Sequence, residues 1–129
     1  MLAKPTTGIQ VIFKRFENKK FTCEYKYDGL RGQLHYTDGI VTIFSRNLEN
    51  MTDNYPDICT LLQSQIDKTK VSNFIADSEI VAFDTVKNKI LPFQILSTRK
   101  RKGVSNSNIS IQVCLFVFDL IYLNGDSLL

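Results

Sequence analysis

Apolar residues recur along this chain at two periods, and the switch between them marks out its elements. Ile9, Ile12, Phe13 and Phe16 follow at spacings of three and four, which predicts a short amphipathic helix. Thr6 or Thr7 is placed to cap its start, and the polar stretch Asn18, Lys19 and Lys20 ends the pattern. Over residues 21–27 (FTCEYKY) the period falls to two. Phe21, Cys23, Tyr25 and Tyr27 would take one face of a strand, and Thr22, Glu24 and Lys26 the other. Two more strands are predicted at about 32–37 and 40–46, joined through Asp38-Gly39, a dipeptide favoured in tight hairpins. Pro56 fits the first turn of a helix whose apolar face is Ile58, Leu61, Leu62 and Ile66. Residues 74–84 (FIADSEIVAFD) read as a strand with Asp77, Glu79 and Val81 on one face. Lys87 to Lys89 read as a turn, 93–98 as a short helix and 103–110 as a polar loop. Residues 111–118 (IQVCLFVF) are β-branched and aromatic enough to predict a buried central strand. The elements add up to an α+β fold dominated by antiparallel strands, with helices packed outside.

Composition sets outer bounds. A chain of 129 residues is one domain or a piece of one, and can bury a core without disulfides or metal. Apolar residues at 43% and charged residues at 22% are ordinary for a globular protein. There is no run of 18 apolar residues and no signal-peptide pattern, so the expected setting is cytosolic or nuclear, with no membrane partner. Cys23, Cys59 and Cys114 are far apart and odd in number, and the single His35 has no cysteine near it. Reduced thiols, not a zinc site, are expected. The net charge of +3 does not diagnose nucleic-acid binding. Its distribution says more: Arg99, Lys100, Arg101 and Lys102 form one uninterrupted basic run. The end at Leu128-Leu129 carries no turn or cap signal, so the unit is expected to continue.

The densest chemistry lies in EYKYDGLR, residues 24–31. Lys26 is followed by an acid two residues on, then by a glycine, and by Arg31 five residues on. The predicted geometry is a lysine at a strand end, a tight turn allowed by Gly29, and a guanidinium returning to the same site. An uncharged lysine amine is a good nucleophile for phosphorus, and neighbouring cations such as Arg31, Arg46 or a bound metal favour that form. The planar fork of Arg31 suits phosphate or ribose oxygens. The competing reading is an exposed hairpin turn, where K-x-D-G is common.

KYDGLR also resembles motif I, K-x-D-G-x-R, of the covalent nucleotidyltransferases, which include ATP-dependent DNA ligases and mRNA-capping guanylyltransferases. IFSRN (43–47) resembles the ligase segment that supplies a second arginine. FIADSEIV (74–81) resembles motif III, and FVFDLIYLNG (116–125) resembles motif IIIa, all in family order and spacing. MLAKPT, KRFENKKFTCEYKYDG and PFQILSTRKRK (92–102) are most similar to ligases of the eukaryotic replicative type. The resemblance covers essentially the whole chain.

It implies an antiparallel-sheet-rich, ATP-grasp-like adenylation domain, of which 1–129 would be the N-terminal part. Motifs IV and V and the OB-fold domain would lie beyond Leu129. Lys26 would attack the α-phosphate of ATP, expel pyrophosphate and carry AMP as a phosphoramidate. Glu24 would help place the adenine. Arg31 and Arg46 would hold ribose and phosphate, Glu79 the ribose or a Mg2+ ion, and Phe118 would stack on the adenine. AMP would pass to the 5′-phosphate of nicked double-stranded DNA, and the 3′-hydroxyl would then seal the nick. Arg99, Lys100, Arg101 and Lys102 would contact DNA phosphates. Work in DNA replication, repair and recombination, a nuclear location, and contact with a replication clamp through regions outside this chain are further implications. Asp77 could serve the site or only support its strand, and Phe118 could be core. The rival readings are a capping guanylyltransferase or RNA ligase, and a non-catalytic DNA-binding module.

Overall fold

The computed structural model describes residues 4–17 and 19–129; Asn18, within the predicted helix break, lies outside the described residues. Its centre is an antiparallel sheet. Strands β1 (Leu30–Thr37) and β2 (Ile40–Phe44) form a hairpin. Asp38 and Gly39 turn it with φ of 50° and 88°, the left-handed pair that a two-residue hairpin requires. β1 pairs on its other side with β3 (Asn73–Asp84), and β3 with β5 (Val113–Leu123). A two-residue β6 (Asp126–Ser127) continues the order β2-β1-β3-β5-β6, and β4 (Lys89–Ile90) adds to the far end of β3. The predicted α+β architecture is the observed one.

One sheet face is the core. Leu34, Tyr36, Val41, Ile43 and Ile80 close against Tyr55 and Ile58; helix α1 spans Ile9–Phe16, and Ile58 lies on α2 (Pro56–Gln65), which begins with proline in its first turn. The backbone N–H of Ile43 donates to Thr52 Oγ1 at 3.0 Å, tying β2 to the turn before that helix. A short helix, α3 (Phe93–Ser97), follows β4 and seats Leu96 at 2% exposure.

Three expectations need correction. The first helix, α1 (Ile9–Phe16), forms as predicted, but Gly8 is its N-cap and no side chain caps it, so neither Thr6 nor Thr7 does. Residues 21–27 do not form a strand. Their alternation is real, but they pair with no strand among the described residues. Residues 113–118 are a strand but not a buried one: Val117 and Phe118 are 55% and 48% exposed. β5 has β3 on one side and only the two residues of β6 on the other, and its core-facing Val113 and Leu115 are only partly buried. Among the described residues, no helix is long and apolar enough to cross a membrane.

Candidate active site

The sheet face opposite the core carries polar groups at the strand's period of two. In the β1–β3 ladder Arg31 lies opposite Glu79, and Gln33 opposite Asp77. Arg31 Nη2 donates to Asp77 Oδ2 at 2.5 Å, and Gln33 Nε2 donates to Asp77 Oδ1 at 3.2 Å. Asp77 is 8% exposed, so it acts from beneath the surface as the anchor of Arg31. Asp77 thus does more than support its strand: it touches the site through Arg31.

Lys26 reaches this face on the unpaired stretch 24–28. Two features seat that stretch. Tyr27 stacks on Phe116 of β5 with ring centroids 3.9 Å apart and an angle of 17°. Gly29 lies so close to β3 that a Cβ would collide with the carbonyl of Ile80 and stand 2.9 Å from Val81 Cγ1. The glycine of the K-x-D-G segment is thus required by close approach to β3, where the sequence suggested a tight turn.

Two hollows meet at Lys26 and Glu79. The larger, about 570 Å³, has Arg31, Arg46 and Glu49 on its walls as well as those two residues. The smaller, about 300 Å³, is bounded by Glu24, Tyr25, Tyr27 and Phe118 together with the same two. Arg46 belongs to a loop tightened by Ser45, whose Oγ accepts from the N–H of Asn47 and of Glu49, both at 3.2 Å. Phe118 comes from a β-bulge. Val117 pairs with Ser78 and Asp119 with Asp77, which leaves Phe118 as the extra residue. Bulges re-aim side chains near functional sites, and this one places an aromatic ring on the smaller hollow. All the residues predicted to handle the nucleotide (Glu24, Lys26, Arg31, Arg46, Glu79 and Phe118) therefore line one or both hollows.

Burial pushes the Glu79 carboxyl above its ordinary value, and Asp28 adds to the push. Lys26, the backbone N–H of Gly29 and Arg31 pull the other way. Among the described residues, no three His, Cys, Asp or Glu side chains converge as a ready-made metal cage. A single carboxylate beside Arg31 and Arg46, which could take phosphate oxygens, nonetheless fits Mg2+, which binds through one or two carboxylates and completes its shell with phosphate oxygens and water.

The basic run divides. Lys100, Arg101 and Lys102 are exposed, but Arg99 is 6% exposed. Its Nη1 and Nη2 donate to both oxygens of Asp57, at 3.1 and 2.7 Å, and Nη1 also donates to the carbonyl of Ile111 at 2.7 Å. The guanidinium stands 5.0 Å from the centre of the Tyr55 ring. Arg99 is withdrawn from the surface, and its expected place among DNA-contacting residues is corrected to an internal tie between α2 and the loop before β5.

Over residues 1–129 the sequence matches the family described as the ATP dependent DNA ligase domain. The chain belongs to that family. Arabidopsis thaliana DNA ligase 1 is 54% identical over 130 residues, covering 100% of this chain and 16% of the relative. Saccharomyces cerevisiae DNA ligase 1 is 50% identical over 131 residues, covering 100% and 17%. The chain thus spans 16–17% of the length of these curated relatives. Among solved structures, the ligase domain of M. tuberculosis LigD superposes with a TM-score of 0.62 at 25% identity, over 81% of this chain and 30% of that one. A mycobacterial DNA ligase D complexed with ATP and MES matches to the same extent.

Within this ligase domain, sequence reasoning missed three contributors. Gln33 was recoverable from R-x-Q-x-H, which puts it on the same strand face as Arg31 once 30–37 is a strand. Glu49 carried no pattern. For Tyr27 the alternation gave a strand face and no partner; the ring it stacks on is 89 positions away in the chain, beyond the reach of local periodicity.

Proposed function

We propose that this chain is the nucleophile-bearing part of an ATP-dependent DNA ligase and that Lys26 becomes covalently linked to AMP. The observation that carries this reading is the position of Lys26 and Glu79 on the shared wall of an aromatic hollow and an arginine-lined one. An amine there stands between a place for a base and a place for phosphates.

Lys26 Nζ, in its uncharged form, attacks the α-phosphorus of ATP. A P–N bond forms, the P–O bond to pyrophosphate breaks, and the nitrogen gives up a proton. Arg31 and Arg46 face the charge that builds on the phosphoryl oxygens, where donors fixed in advance are most effective. Phe118 and Tyr25 offer ring faces to adenine, and Glu24 sits beside them. Glu79 would hold the ribose or a Mg2+ ion, and the metal would supply Lewis-acid stabilisation of phosphoryl charge when bound. The polynucleotide substrate in this reading is nicked duplex DNA, with Lys100, Arg101 and Lys102 contacting its phosphates. Such contacts weaken as salt rises. Service in nuclear replication and repair, with clamp contact through other regions, belongs to the same proposal.

The test is mass spectrometry of the denatured chain after incubation with ATP and Mg2+. An AMP adduct on Lys26, absent with GTP and absent from Lys26→Ala, is the expected result. An adduct on another residue, or equal labelling by GTP, would overturn the assignment.

A further inference from the structure

The face of β1 that carries Arg31 also carries Gln33 and His35, to which the reading above gives no part. Together they form an unbroken polar chain. His35 Nε2 lies 2.9 Å from Gln33 Oε1, Gln33 Nε2 donates to one oxygen of Asp77, and Arg31 donates to the other. The chemistry of the groups fixes its direction. An ionised carboxylate only accepts, so Gln33 must turn its NH2 toward Asp77 and its carbonyl toward His35. His35 must then carry a proton on Nε2. The ring is held in place by an edge-on contact with Phe44, centroids 4.9 Å apart.

The molecule contains its own reference for an arginine–carboxylate pair without such a neighbour. Arg99 closes on Asp57 with both prongs, Nη1 to one oxygen and Nη2 to the other, the geometry that the two planar groups favour. Arg31 instead meets Asp77 through Nη2 and a single oxygen, and Gln33 donates to the second. Arg31 also lines the larger hollow.

We propose that Gln33, oriented by His35, is a positioning residue that stops Arg31 from closing both prongs on Asp77 and so keeps its other donors free for oxygens of the bound nucleotide. The proposal rests on the nucleotide-binding reading of the same hollow. Removing the Gln33 amide leaves a nearly buried carboxylate oxygen without a donor, which is unfavourable. Rotation of Arg31 onto that oxygen is the nearest remedy, and it withdraws the arginine from the ligand.

The decisive variant is Gln33→Met, of similar shape but without the amide. Its crystal structure is expected to show Arg31 bonded to both oxygens of Asp77. The ATP concentration giving half-maximal labelling of Lys26 is expected to rise about tenfold, the size of one charge-assisted hydrogen bond lost to the ligand, with little change in the maximal labelling rate. In an Arg31→Lys background, which has no second prong to close, Gln33→Met is expected to add nothing. Should Gln33→Met fail to fold, His35→Phe keeps the packing on Phe44 but removes the group that orients the amide, and is expected to act in the same direction more weakly. A single-pronged Arg31 in Gln33→Met, or an equal ATP shift in both backgrounds, would overturn the proposal. Absence of labelling in the unsubstituted chain would count against the ligase reading, while the Arg31 geometry in Gln33→Met would still decide this one.

Discussion

The two walls of the cleft are built on opposite plans. Arg31 and Glu79 stand on paired strands, opposite each other in the β1–β3 ladder. Behind them lies a core in which Leu34, Ile43 and Ile80 are at most 1% exposed. The wall that bears Lys26 has no ladder among the described residues. One aromatic stack and the close seat of Gly29 tie it down. The groups proposed to meet ligand charge, Arg31 and Glu79, are therefore fixed before a ligand arrives, which is the condition under which they would stabilise it best. Lys26, the proposed nucleophile, sits on a stretch that can shift without breaking sheet hydrogen bonds. Rigidity is concentrated on the side that carries Arg31 and Glu79.

The largest expected effect falls behind the paired wall, where Arg99 ties α2 to the loop before β5. Arg99→Ala leaves Asp57 without its buried partner, and losing one member of a buried pair costs about 3–5 kcal/mol. Urea denaturation should show a loss of that order; a change below about 1 kcal/mol would mean that the tie does not support the sheet. Gly29→Ala acts where the walls meet. The added methyl has no room against β3, so a cost of about 1–3 kcal/mol is expected, with labelling of Lys26 lost more completely than stability. Normal labelling in Gly29→Ala would show that this seat does not position the lysine. Tyr27→Ala should be milder for the fold, about 0.5–1.5 kcal/mol for the lost stack, but should slow labelling at saturating ATP, and Tyr27→Phe should restore it. Equal rates for all three side chains would remove the stack from the account of the unpaired wall.

The smallest effect concerns pH. Burial holds the His35 imidazole below its ordinary value of 6.5, against the pull of Asp77. The unfolded chain therefore takes up a proton on His35 at a higher pH than the folded chain does. The contribution from keeping the ring neutral is full above pH 6.5 and is lost as pH falls from there through the folded value. Because His35 is the sole histidine, its ring signals in an NMR titration report the site without ambiguity. A midpoint at or above 6.5 would contradict the structure.

The same contrast explains what could be read from the sequence. The Asp38-Gly39 hairpin, α2 with its leading proline, β3 and α3 all follow from signals within a few residues of one another. The order of Lys26, Arg31, Arg46, Glu79 and Phe118 was legible through its resemblance to a family. Alternation over 21–27 predicted two faces, yet Glu24, Tyr25, Lys26 and Tyr27 all line the smaller hollow, because alternation carries no information about a partner strand, and partners are what make a ladder. The apolar run of β5 suggested burial because composition cannot tell a covered strand from one that presents a face outward. Arg99 looked like one cation among four, since its partner Asp57 lies 42 positions earlier and a local charge pattern cannot show burial.

The bulge at Phe118 has a companion, and the pair works by counting. Beyond it, Ala76 faces Leu120 but Ile75 faces Tyr122, so Ile121 is a second extra residue. Each extra residue exchanges odd for even along a strand whose sides alternate, and two exchanges cancel. Val113 through Val117 and Tyr122 through Leu123 keep one parity relative to β3, while Asp119 and Leu120 alone carry the other. Deleting Phe118 by itself would leave one uncancelled exchange and turn one part of β5 inside out with respect to its neighbour. Deleting Phe118 and Ile121 together would restore phase along the whole strand, at the loss of the ring that the first irregularity delivers to the smaller hollow.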